Sequence, residues 1–100
     1  MQTSELKNMN PTPPSVGLSA TAPIIKLQYP LHVDGLVIEK ITMRRPLVRD
    51  RLVAEKTNGS EVEKEIRLIA NLCEMAPQHI ELLDLADYVK LQECLAGFLS

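Results

Sequence analysis

The stretch "YPLHVDGLVIEK", residues 29–40, decides the fold. Asp34-Gly35 sits between two runs rich in branched apolar residues. Such a pair readily takes the two positive-φ positions of a tight hairpin turn. Upstream, "IIKLQYP" alternates, with Ile25, Leu27 and Tyr29 on one side and Lys26 and Gln28 on the other. That period of two predicts a half-buried strand. Downstream, "LVIEKITM" reads as the returning strand. Its apolar positions Ile38, Ile41 and Met43 break the period, which predicts a bulge or twist near Glu39-Lys40.

Beyond the hairpin the pattern turns helical. Pro46 suits a first helical turn, and residues 46–56 place Val48 and Leu52 one turn apart. "TNGS" then breaks the chain, with Gly59 free to take a positive φ and Ser60 placed to cap. Ser60 and Glu63 form a capping box opening a helix over 61–75. Val62, Ile66, Ile69 and Cys73 make its stripe, Leu68, Leu72 and Met75 widen it, and Glu63 and Arg67 are spaced to pair outside. Pro77 opens a short helix, and Asp84 caps a last one over 85–98. The expected class is therefore α+β: an N-terminal β-hairpin followed by three to four short α-helices packed on one face. A two-stranded sheet is marginal alone and needs the helices, or strands from other copies.

Residues 1–23, with "NPTPPSVGLSATAP", hold too few large apolar groups to offset the entropy of ordering them and predict a disordered tail. The folded domain is expected over 24–100. One hundred residues support one modest core. With 3% aromatic residues that core is aliphatic, and stacking on single-stranded bases is disfavoured.

The net charge of −2 hides a division along the chain. Residues 40–56 carry six basic and two acidic side chains, whereas residues 60–100 carry three basic and eight acidic. That pattern favours contact between the halves, or a partner of reversed charge. No run of about 18 apolar residues suggests a membrane span, and the N-terminus lacks a signal-peptide layout.

Little here points to catalysis. Cys73 and Cys94 lie in apolar helical stretches without metal spacing and read as small hydrophobes. His32 and His79 have no ligand partner at metal spacing. The four glycines form no phosphate loop. Ser60 is a cap, and Asp84 and Asp87, at a helix start, read as capping and dipole-stabilising carboxylates. No cofactor and no enzyme activity is expected. The basic joint Arg44-Arg45-Pro46, with Arg49, Asp50 and Arg51, admits three readings: a phosphate grip, a structural brace, or a subunit contact. Asp50 is placed to offset Arg49 and Arg51 or to pair with Arg44 or Arg45. The short patch, the negative net charge and the lack of a DNA-binding motif weigh against the phosphate grip.

Three segments in order carry a resemblance: "YPLHVDGLVIEKITMRRPLVRDRL", "EKEIRLIANL" and "IELLDLADYVKLQECLAGFL". The shared features are Tyr29-Pro30, Asp34-Gly35, Arg44-Arg45-Pro46, Asp50, Leu85 through Tyr88, and Leu91-Gln92. Together they resemble the phage tail assembly chaperones, the tail protein E group of contractile-tailed and Mu-like phages. Ala76 before Pro77 departs from the Ser-like cap expected there. The resemblance implies a non-enzymatic partner of the tape measure protein, kept in the bacterial host cytoplasm and absent from the mature virion. It also implies a homo-oligomer and a frameshift-extended form, with this chain as the short form. The expected client contact is the apolar surplus of the last helix: Leu91, Leu95, Phe98 and Leu99. The joint Arg44, Arg45, Pro46 and Asp50 is expected to brace the fold. A small nucleic-acid-binding regulator using residues 44–51 and a structural tail component are the competing readings.

Overall fold

A computed structural model describes residues 22–100 of the chain. The tail expected over 1–23 lies outside them except for Ala22 and Pro23. Strand β1 (Ile24–Val33) and strand β2 (Leu36–Thr42) form an antiparallel two-stranded sheet. Four helices follow: α1 (Val48–Glu55), α2 (Glu61–Cys73), α3 (Pro77–Ile80) and α4 (Leu85–Phe98). The class is the expected α+β. No helix among these residues is long and apolar enough to cross a membrane.

Asp34 and Gly35 form the turn with φ of 51° and 78°, the two positive values of a type I′ hairpin. From there Val33 pairs with Leu36 and Leu31 with Ile38, but Lys26 pairs with Lys40. Four residues of β1, Leu27 to Pro30, therefore oppose Glu39 alone. The irregularity lies where it was expected along β2, but its extra residues are in β1. Pro30 has no N–H to give a ladder, and the N–H groups of Gln28 and Tyr29 turn elsewhere. Ile25, Leu27, Leu31 and Val33 all face inward, and Tyr29, expected beside them, is turned out by the bulge and exposed.

The core joins that face of β1 to Ile41 and Met43, to Ile69, Ala70 and Leu72 of α2, to Ile80, and to Tyr88, Leu91 and Leu95 of α4. Helix α4 packs on β1 and touches α2. Helix α1 packs chiefly on α2. It buries only Asp50 and Ala54, and Val48 and Leu52, the apolar pair one turn apart, point outward.

The helix ends follow local chemistry. Ser60 Oγ accepts the Glu63 N–H at 3.2 Å, and Glu63 Oε1 accepts the Ser60 N–H at 2.7 Å. Glu63 is thereby held at the cap, and among the described residues it makes no ion pair with Arg67. Helix α2 ends at Cys73, earlier than the spacing predicts, because Glu74 takes φ 56° and Met75 N–H closes back on the Ala70 carbonyl at 3.0 Å. Ala76 caps α3 without a side-chain bond, while Asp84 Oδ1 caps α4 through the Ala86 N–H at 2.9 Å. His79 Nε2 lies 3.6 Å from Asp34 Oδ2 and ties α3 to the hairpin turn when protonated.

Candidate partner-binding groove

The joint between β2 and α1 is built around one ion pair. Arg44 donates from Nη1 to Asp50 Oδ2 at 2.9 Å and from Nη2 to Asp50 Oδ1 at 2.7 Å. Such a two-pronged pair fixes direction as well as distance. Asp50 also accepts the Leu47 N–H at 2.8 Å, which satisfies one free donor at the start of α1. Leu47 is therefore the extended cap, and the helix starts at Val48, two residues after the position expected from Pro46. The Arg44 N–H reaches the Leu72 carbonyl at 3.0 Å and ties the end of β2 to the last turn of α2. The hydrogen bonds from Arg44 hold the Asp50 carboxyl below its usual pKa, against the opposing effect of burial. The same bonds raise the Arg44 pKa.

Of the four arginines that could grip phosphate, Arg44 is thus committed to Asp50, and Arg51 bonds Glu55 at 3.2 Å. Arg45 and Arg49 remain exposed. The Arg45 guanidinium carbon lies 5.6 Å from the centre of the Phe98 ring, within range of a cation–π contact.

Arg44, Arg45, Leu47 and Arg49 are among the residues lining an open groove of about 1030 Å³. Ile38, Ile41, Leu72, Cys73, Met75 and Phe98 supply its apolar surface. Lys40, Arg45 and Arg49 place positive charge on it, and Glu74 is the acidic lining residue. A concave apolar surface with a few convergent charges is the usual form of a binding site. Among the described residues, no group of three or more His, Cys, Asp or Glu is placed to hold a metal ion.

The residues expected to meet a client are divided by the fold. Leu91 is completely buried and Leu95 is 8% exposed. Both belong to the core against β1, so the exposed surplus expected at these two positions is corrected. Phe98 is half-buried in the groove and Leu99 is exposed beside it. The surplus of α4 that does face solvent lies at Leu85 and Val89.

Sequence reasoning also missed the role of Asp87. Its side chain is fully buried and accepts the N–H groups of Gln28 at 2.8 Å and Tyr29 at 2.9 Å. These are the donors that the bulge removes from the ladder. Lys90 Nζ lies 3.4 Å from Asp87 Oδ1 and donates to the Lys26 carbonyl at 3.2 Å. Burial by itself raises the Asp87 pKa, but these donors outweigh it and hold the carboxyl below its usual value. The third residue of α4 also gains from the helix dipole. One signal was present: Asp87 stands on the same stripe as Leu91 and Leu95, a charge at a core position. On the other flank Glu65 Oε1 accepts from Tyr88 Oη at 2.6 Å and Gln92 Nε2 at 2.8 Å, joining α2 to α4.

No curated protein and no solved structure matches the chain. Residues 24–100 match the family described as phage tail assembly chaperone proteins, E, or 41 or 14. The match runs from the first residue of β1 past the end of α4, so hairpin, brace and Asp87 clamp lie inside it, as does the groove lining apart from Ala22 and Pro23. The chain belongs to the phage tail assembly chaperones.

Proposed function

We propose that this chaperone binds the tape measure protein and keeps it soluble until tail-tube subunits enclose it. It acts without catalysis in the cytoplasm of the bacterial host and is absent from the finished virion. A frameshift-extended form of the same chain is a further expected partner. The observation that carries the reading is the groove beside Phe98 and Leu99. Its apolar lining suits the hydrophobic face of an amphipathic helix. Lys40, Arg45 and Arg49 suit acidic residues flanking that face. The client contact is thus assigned to Phe98, Leu99 and the groove, in place of Leu91 and Leu95.

Co-expression with the tape measure protein of the same phage tests this. The wild-type chain is expected to raise the soluble fraction of the client and to co-purify with it. Phe98→Ser/Leu99→Glu is expected to lose both effects while keeping its far-UV circular dichroism spectrum. A client that is equally insoluble with and without the wild-type chain refutes the reading. Detection of the chain in purified virions by mass spectrometry refutes its absence from the particle and favours a structural tail component.

A further inference from the structure

The two outer edges of the hairpin differ. The Met43 N–H bonds the Pro23 carbonyl at 3.2 Å, which fixes the phase of the ladder at that end. In an antiparallel pair, successive residues turn their backbone groups alternately toward the partner strand and away from it. Ile41 therefore faces β1 with its N–H and C=O, and Lys40 and Thr42 turn theirs outward. On β1 the same phase turns Lys26 outward, and α4 meets that edge. Lys90 Nζ donates to the Lys26 carbonyl, and Asp87 accepts the Gln28 N–H two residues on. On the β2 side, the outward N–H of Arg44 is met by the Leu72 carbonyl. Among the described residues, no hydrogen bond meets the outward backbone groups of Lys40 and Thr42. Both residues line the groove, so an open strand edge forms part of its wall. Such an edge is a template for one more strand.

The chain enters β1 from this groove, because Ala22 and Pro23 belong to its lining. The stretch "SVGLSATA", residues 15–22, has the pattern an open edge accepts. Val16, Leu18, Ala20 and Ala22 alternate with Ser15, Gly17, Ser19 and Thr21, a period of two. No proline falls between Pro14 and Pro23, so every amide of the stretch can donate. It holds no charged residue, so none is desolvated on docking. Passing from the start of β1 across the end of β2 to its far edge spans two strand spacings, about 10 Å. Residues 19–22, at about 3.3 Å each, cover that distance and leave residues 15–18 beside Thr42 and Lys40. The entropy that weighs against ordering the whole of residues 1–23 weighs less on this stretch. Its attachment at Ala22 holds it near the groove at an effective concentration of about millimolar, so a weak contact suffices.

We propose that residues 15–18 dock in the groove of their own molecule as a third strand on the outer edge of β2. The stretch runs parallel to β2, with Val16 and Leu18 set toward the apolar lining around Phe98. The docked stretch covers the free backbone groups of Lys40 and Thr42 and part of the apolar surface. It brings no carboxylate, so the charges of Lys40, Arg45 and Arg49 stay unmet. The contact itself needs no client. Its consequence rests on the client reading: a client entering the groove must first displace this stretch, and acidic groups on the client favour the exchange.

Solution NMR of the full chain without client is the test. Phe98 is the single phenylalanine, so its ring is an unambiguous reporter. Nuclear Overhauser contacts are expected from the Val16 and Leu18 methyl groups to that ring. The Lys40 and Thr42 amides are expected to exchange with solvent at least about tenfold more slowly in the wild type than in Val16→Asp/Leu18→Asp. Far-UV circular dichroism checks the fold of the variant. If that variant unfolds, Gly17→Pro carries the same expectation, because its ring removes a donor from the middle of the stretch. Absence of the methyl-to-ring contacts overturns the proposal, as does equal exchange of both amides in the wild type and a folded variant. A mixture of differently labelled copies checks that the strand is intramolecular. Contacts found only between copies place the strand on a second molecule and overturn the proposal equally. No client is present, so failure here leaves the client reading standing, and the co-expression experiment tests that reading separately.

Discussion

Replacing Asp87 by alanine leaves the N–H groups of Gln28 and Tyr29 without their acceptor. A hydrogen bond to a charged group contributes about 1.5–3 kcal/mol, which puts the pair at about 3–6 kcal/mol. Gln28 and Tyr29 are themselves exposed, so water reaches the freed donors and lowers the cost to about 2–4 kcal/mol. The Lys90 contact, at 3.4 Å and partly exposed, adds little. Asparagine keeps the shape and one acceptor oxygen but loses the charge and turns a donor toward an N–H. Its expected cost is about 1–3 kcal/mol. Either loss is large against the roughly 5–15 kcal/mol that holds a small domain together.

Urea unfolding followed by far-UV circular dichroism measures both changes, with an unchanged slope as the sign that only stability has moved. The acid limb gives a second reading. A carboxyl whose pKa is lower folded than unfolded stabilises fully above its unfolded value, near pH 4. That stability disappears as the pH falls through the lower, folded value, because the unfolded chain binds the proton first. The wild type is therefore expected to weaken below about pH 4, and Asp87→Asn to weaken less. Asp50, lowered by its bonds from Arg44, contributes to the same limb, so the slope shrinks without vanishing. An Asn variant within about 0.5 kcal/mol of wild type at pH 7 would refute the clamp, as would an acid limb parallel to the wild type's.

Three further outcomes are expected. Arg44→Leu should cost about 1–3 kcal/mol in urea unfolding and Arg45→Glu less than about 0.5 kcal/mol, since only Arg44 bonds Asp50. Equal costs would show that the brace is not this pair. Glu74→Gly should stabilise by about 0.5–1 kcal/mol, read as a higher urea midpoint, because Glu74 holds the left-handed conformation that glycine takes without strain. A lower midpoint would mean that the Glu74 charge near Arg44 outweighs the backbone strain. The Cys73 thiol, pushed up to about 12 by burial, should react with a disulfide reagent at pH 8 far more slowly than the half-buried Cys94, and speed up only on unfolding. Equal rates in the native state would place Cys73 outside the core.

Much of this fold is local, and the local parts were legible. Asp34-Gly35 sets the hairpin because two adjacent residues accept positive φ. Ser60 with Glu63, and Asp84 with Ala86, set helix starts through bonds spanning two or three residues. The helices over 61–75 and 85–98 were expected from their spacing, the first of them ending two residues early at Cys73, and the motif residues carried the family resemblance that the match over residues 24–100 supports. Side-chain exposure was less legible. Val48 and Leu52 have core spacing, yet α1 turns Asp50 and Ala54 inward because Arg44 waits there for a carboxylate. Leu91 and Leu95 looked surplus, yet β1 covers them. Four arginines within eight residues are alike in sequence, and only packing separates Arg44, the brace, from Arg45, which lies over Phe98.

Asp87 marks the boundary most clearly. As a letter near a helix start it reads as a dipole-stabilising carboxylate. In the folded chain it replaces the missing ladder of a strand 59 residues away. Caps and turns are decided by neighbours a few residues apart, so the amino-acid order specifies them. A carboxylate buried against a bulge depends on how a helix docks on a sheet, and that docking is settled only when the whole core closes.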